Sequence, residues 1–177
     1  LYDASRPRSE ASLGLGYQQV LGGPDAFFLY QVSAVESFAY RFREDTWLSG
    51  SIQMPLVGNY ERFKTSGTSA LNRVRTYQRE YFTSPGLHIP ELALGHVGRL
   101  SENQFYSFYG GYLEPMFGGV GAEWLYRPVS SNLAYGVDIN EVRQREFDQR
   151  FDFRAYQART GHATIYWDTG WNNVLAT

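Results

Sequence analysis

Arg73, Arg75, Tyr77, Arg79 and Tyr81 recur at every second position, so in an extended chain all five share one face. Arginine grips carboxylates or phosphates through two parallel hydrogen bonds, and tyrosine offers a flat ring for a sugar together with a hydroxyl. An anionic glycan could track along such a stripe. The competing reading is a solvated face, or a ladder of ion pairs lining a wet interior. Carboxylates are the other candidates, because enzymes that cut sugar chains flank the bond with two of them. Glu114, Glu123, Asp138 and Glu141 fall on neighbouring segments, and Glu123 and Asp138 could meet across strands. A polar barrel interior also collects acids, with Arg127 or Arg143 at hand to balance them.

Other chemistries fail on spacing. Gly119-Val120-Gly121 begins a dinucleotide fingerprint, but Trp124 stands where the third glycine belongs. The run Gly67-Thr68-Ser69-Ala70-Leu71 departs from a nucleophile elbow at its last position. His88, His96 and His162 lack metal-ligand spacing. The expectation is a protein without catalytic residues, cofactor or metal, hence not an enzyme.

These residues must be positioned by strands. Alternation of period two is plainest from Phe27 to Phe42, where Phe28, Tyr30, Val32, Ala34, Phe38, Tyr40 and Phe42 oppose Gln31, Ser33, Ser37 and Arg41, with Glu36 the one break in the apolar set. Leu48, Ile52, Met54 and Leu56 repeat the pattern against Ser49, Ser51 and Gln53, and Arg43 to Thr46 forms the turn between the two runs. A weaker strand is expected at Ser12–Leu21 and a further strand at His88–Leu100. A loop is expected from Asn59 to Ala70, and the pattern resumes at Leu71 through the Arg/Tyr stripe.

A glycine-rich hairpin from Phe105 to Pro128 turns around Gly118-Gly119. Leu133 to Asn140 alternates again, a charged loop covers Arg143 to Arg154, and Ala155 to Trp167 is a last strand. About nine strands joined mostly by short turns make an all-β, antiparallel up-and-down meander. Trp47, Trp124, Tyr126, Trp167 and Trp171 read as anchors at a membrane surface, with a glycan platform as the competing reading.

Composition sets the frame for that meander. A chain of 177 residues with 43% hydrophobic and 19% charged residues and a net charge of -2 suits one domain, residues 1–177, and argues against disorder and against a nucleic-acid partner. The aromatic content of 17% is high, and Tyr and Trp favour sites with one wet and one apolar side. Cysteine is absent, which removes disulfides and thiolate metal sites. No window approaches the roughly 18 apolar residues of a spanning helix, so any membrane must be crossed by strands.

Three blocks carry a family resemblance: GYLEPMFGGVGAEWLYRP at 111–128, YGVDINEVRQREFDQRFDF at 135–153 and TGHATIYWDTGW at 160–171. With Arg73-Val74-Arg75 they resemble the YjbH-like family of Gram-negative outer-membrane β-barrel (lipo)proteins of exopolysaccharide and capsule biosynthesis. The resemblance implies a barrel in the outer membrane beside a polysaccharide export system, in contact with lipid, polysaccharide and other export components. The family's members are several times longer. The lipoprotein-type Cys and a terminal aromatic residue are both missing, so an internal fragment of such a barrel is expected. The expected function is non-catalytic assistance to export or surface assembly of polysaccharide, with a periplasmic or surface carbohydrate-binding β-domain as the alternative.

Overall fold

The computed structural model describes residues 8–22, 25–64, 77–170 and 175–176. They form one antiparallel sheet in strict chain order: β1 (Ser9–Leu21), β2 (Phe28–Arg43), β3 (Thr46–Gly58), β4 (His88–Ser101), β5 (Gln104–Tyr112), β6 (Phe117–Tyr126), β7 (Leu133–Arg145), β8 (Phe153–Asp168) and the short β9 (Leu175–Ala176). The up-and-down meander of about nine strands is therefore what the alternation implies. The sheet is open, since β1 pairs only with β2 among the described residues. No helix among them is long and apolar enough to cross a membrane.

Local chemistry explains the turns. At one end of the sheet, two residues suffice between β2 and β3 and between β4 and β5, as antiparallel neighbours allow. Asp45 steadies the first by accepting from the Thr46 hydroxyl at 2.8 Å. That bond, more than the nearby His96 and Arg43, holds the exposed Asp45 carboxyl below its ordinary value. The opposite end carries the longer connections, 59–87 and 146–152 among them.

Two expectations need correction. The hairpin of β5 and β6 does not turn at Gly118-Gly119, which lie inside β6; the turn is at 113–116, where the amides of Leu113 and Glu114 both donate to the Phe117 carbonyl at 3.1 and 3.0 Å. Pro115 cannot donate to a ladder, which suits it to the turn. Gly119 is needed for packing instead, because a Cβ there would stand 2.1 Å from the Glu141 carbonyl oxygen. The strand expected to resume at Leu71 is, over Gln78–Phe82, a short helix α1. Residues 71–76 of that expected strand lie outside the described residues.

Pairing register sorts the strands onto two faces. One face is apolar and largely uncovered: Leu13 is 80% and Ile139 65% exposed, and Leu15, Met54, Leu94, Val120 and Ile165 also stand open. Glu36 and the ion pair of Glu141 with Arg159 at 3.1 Å are charged exceptions on it. Aromatic rings gather toward both ends of this face. Tyr40 meets Phe42 at 5.0 Å, and Trp124, Tyr126 and Tyr135 stack in series at the tight-turn end. Phe28 with Tyr30, and Tyr112 with Phe153, each at 5.6 Å, do so at the other. Trp47, expected among the anchors, faces the opposite way and lies against Gly95, where a Cβ would meet its ring at 2.6 Å. Trp171 is outside the described residues.

The strands are also staggered in one sense. The row of partners that begins at Ser9, the first residue of β1, passes Tyr40, Leu48, Leu94, Gly110, Val120 and Glu141. It reaches Arg159 nine residues before Asp168, the last of β8. Nine residues at ~3.3 Å, across seven strand spacings of ~4.8 Å, correspond to a tilt of about 40°.

Candidate functional site

The polar face brings together the side chains with chemical potential. Ser107, Glu123, Asp138 and His162 are successive cross-strand partners on β5 to β8. Alternation puts all four on one side of the sheet, and register puts them in one row. Ser107 donates to Glu123 Oε2 at 3.0 Å, and His162 Nδ1 lies 3.1 Å from both carboxylate oxygens of Asp138. Asn140 Nδ2 donates to Asp138 Oδ2 at 2.9 Å, while its own Oδ1 accepts from the Tyr109 hydroxyl at 2.6 Å. Further along the same face Ser49 donates to Glu91 at 3.0 Å and Gln53 to Ser33 at 2.9 Å.

Beside the row lies a groove of about 390 Å³ lined by Glu123, Arg127, Gly136, Asp138, Thr164, Tyr166 and Asp168 among others. Gly136 forms part of its floor; a Cβ there would crowd the Tyr166 ring at 3.2 Å. The lining offers hydroxyl and carboxylate acceptors next to the rings of Trp124 and Tyr166, a mixture suited to the hydroxyls and faces of a sugar.

Glu123 and Asp138 thus do meet. As opposed residues of an antiparallel pair their Cβ atoms stand about 4.5–5.5 Å apart. A general acid must hold its proton, which an apolar pocket or a closely opposed carboxylate favours. Glu123 is exposed, and Asp138 is engaged by Asn140 and His162. No set of three or more His, Asp or Glu among the described residues could hold a metal ion.

The described part of the Arg/Tyr stripe, Tyr77 to Tyr81, is not a strand face. Arg73 and Arg75 lie outside the described residues. Tyr77 is the N-cap of α1; Arg79 uses Nε to donate to the Phe63 carbonyl at 2.8 Å and lies 3.7 Å from Glu80. Tyr81 is only 1% exposed and donates its hydroxyl to the Arg145 carbonyl. Helical turn, rather than two-residue alternation, relates Tyr77, Arg79 and Tyr81, so they do not present one flat face.

Over residues 1–177 the chain matches the model of the YjbH family, described as "Exopolysaccharide biosynthesis protein YbjH". The chain belongs to the YjbH family. It is 38% identical over 155 residues to an Escherichia coli (strain K12) protein named "Uncharacterized lipoprotein YjbH". That alignment covers 84% of this chain and 22% of the relative, so the chain spans about a fifth of that YjbH protein's length. No solved structure matches the chain.

One residue of this YjbH-family chain escapes sequence reasoning altogether. Arg145 sits in what alternation presents as a charged loop, yet its side chain is wholly buried. Nη1 donates to the carbonyls of Pro90 and Glu114, and Nη2 to those of Gln149 and Arg150. Two of its four acceptors, on Glu114 and Pro90, lie 31 and 55 residues away in the chain, beyond the reach of any local pattern.

Proposed function

We propose that this chain forms part of the wall of an outer-membrane β-barrel that assists export or surface assembly of extracellular polysaccharide, without a chemical step of its own. The observation that carries this reading is the apolar face, uncovered across its middle and bounded by aromatic rings at both ends. On β2 Tyr30 and Tyr40 are ten residues apart. At ~3.3 Å per residue and a tilt of about 40° they are separated by about 25 Å along the barrel axis, the height of the apolar band of outer-membrane barrels. The net stagger is of the kind that closure with tilted strands requires. The relative's name as a lipoprotein accords with a place in the cell envelope, and the family's description accords with polysaccharide as cargo.

The polar face would then line the lumen, where the row from Ser107 to His162 and the groove beside Tyr166 contact passing sugar. A water-soluble carbohydrate-binding domain accounts for that face equally well. It leaves Leu13, Leu15 and Ile139 without cover, a contiguous apolar surface of a kind soluble monomers avoid.

Fractionation of cells expressing the full-length protein tests the reading. Recovery in the outer membrane with heat-modifiable migration on a denaturing gel is expected; quantitative recovery in the soluble periplasm overturns it.

A further inference from the structure

We propose that α1, within the connection between β3 and β4, is a constriction, held over the polar face by its bonds to Arg145 and Gln149, which narrows the lumen at the end of the long connections. The inference rests on the barrel reading above. It concerns the described residues of that connection, 59–64 and 77–87.

Adjacent antiparallel strands need only a tight turn between them, as β2–β3 and β4–β5 show at the other end. The β3–β4 connection instead carries α1 across to β6, β7 and β8. Tyr81 packs on Met116 and Phe117, with Tyr77, Val142, Phe147 and Tyr156 around them. Phe117, Val142 and Tyr156 belong to the polar face by register, so α1 lies on that side of the sheet. From β3 to β6 is three strand spacings, about 14 Å. A segment displaced that far over the inner face of a closed barrel stands in the path of anything passing through.

The lock is built from backbone acceptors. The four carbonyls that hold the Arg145 guanidinium come from the start of β4, the β5–β6 turn and the β7–β8 connection, at 3.3, 2.9, 2.7 and 2.9 Å. The guanidinium carbon also lies 4.4 Å from the centre of the Tyr112 ring. One side chain thereby ties the start of β4 to two connections at one end of the sheet. α1 is fastened to the same point: Tyr81 donates to the Arg145 carbonyl, and Gln149 Nε2 donates back to the Tyr81 carbonyl at 2.9 Å. Gln149 holds a left-handed φ of 54°, unfavourable for a residue with a Cβ, in the arrangement that makes both contacts. Arg154 closes the outside, 4.2 Å from the Phe147 ring centre and 5.5 Å from that of Tyr77.

Single-channel recording of the full-length protein in planar lipid bilayers, paired with a crosslinking arm, tests the constriction. Arg145→Ala and Tyr81→Ala are each expected to raise conductance at least threefold while heat-modifiable migration persists. In the otherwise unaltered protein, a short bis-maleimide is expected to join Tyr77→Cys to Phe147→Cys. The same crosslink placed in the Arg145→Ala background should return conductance to the parent value. Inserted channels whose conductance neither substitution changes overturn the inference. So does a cysteine pair that fails to crosslink, a readout that holds even where Arg145→Ala prevents folding. Absence of insertion and of heat-modifiable migration in the unaltered protein would instead count against the barrel reading, which separates the two failures.

Discussion

The Tyr81 hydroxyl donates to the backbone carbonyl of Arg145, 64 residues further along the chain, in a site where both side chains are almost free of solvent. Burial disfavours the phenolate and pushes the Tyr81 pKa up to about 12. A pKa raised on folding means that the neutral ring contributes stability in full below the unfolded value near 10, and loses it as pH rises toward 12. Tyr60, stacked on Phe82 at 5.4 Å, is raised to about 12 by burial as well and adds in the same direction. Alkaline titration followed by hydrogen exchange is expected to release α1 between about pH 10 and pH 12, before the strands open. Tyr81→Phe should remove about 1–1.5 kcal/mol from the local opening free energy, through one lost hydrogen bond to a buried carbonyl.

Ile139 stands at the middle of β7 on the apolar face and is 65% exposed. Replacing an exposed residue of a soluble domain changes stability by no more than about 0.5 kcal/mol. At the midplane of a bilayer Ile139→Arg should cost about 2–4 kcal/mol. Urea titration of the folded protein in lipid vesicles separates the outcomes, and a change below about 0.5 kcal/mol contradicts a lipid-facing position.

Glu123 and Asp138 are like charges opposed across a strand pair, an arrangement that costs stability. Glu123→Gln should therefore raise stability by about 0.2–1 kcal/mol, as read from unfolding in lipid vesicles. Asp138→Asn, which weakens the contacts to Asn140 and His162, should not share that gain. Loss of turnover on a purified polysaccharide in either variant would make the pair catalytic.

Gly119 and Gly14 make a matched pair for testing the packing of the sheet. A Cβ at Gly119 would meet the Glu141 carbonyl oxygen at 2.1 Å and the Val142 Cα at 2.7 Å, both backbone atoms, whereas one at Gly14 meets nothing within 4 Å. Gly119→Ala should destabilise by about 1–3 kcal/mol and Gly14→Ala hardly at all, as read from thermal unfolding of the two variants side by side.

Much of the sheet is legible from the chain because strand alternation is local. Phe28 to Phe42 names its own apolar face, and Arg43 to Thr46 marks its own turn, since a two-residue period and a tight turn depend on residues within a few positions of each other. Glu123 and Asp138 could be nominated as partners for the same reason, once their strands were known to be neighbours. The Arg/Tyr stripe misleads because a stretch of alternate residues carries no mark of which secondary structure will use it. In Tyr77 to Phe82 the decision falls to the pocket of Met116, Phe117 and Val142, which buries Tyr81 on a helix.

Trp47 likewise takes its side from the register that sets it over Gly95. What only the tertiary structure decides is the knot around Arg145. A guanidinium leaves water when enough acceptors converge on it, and here they arrive from carbonyls up to 55 residues away. Sequence determines the two faces of this sheet, and long-range hydrogen bonding determines what is folded across one of them.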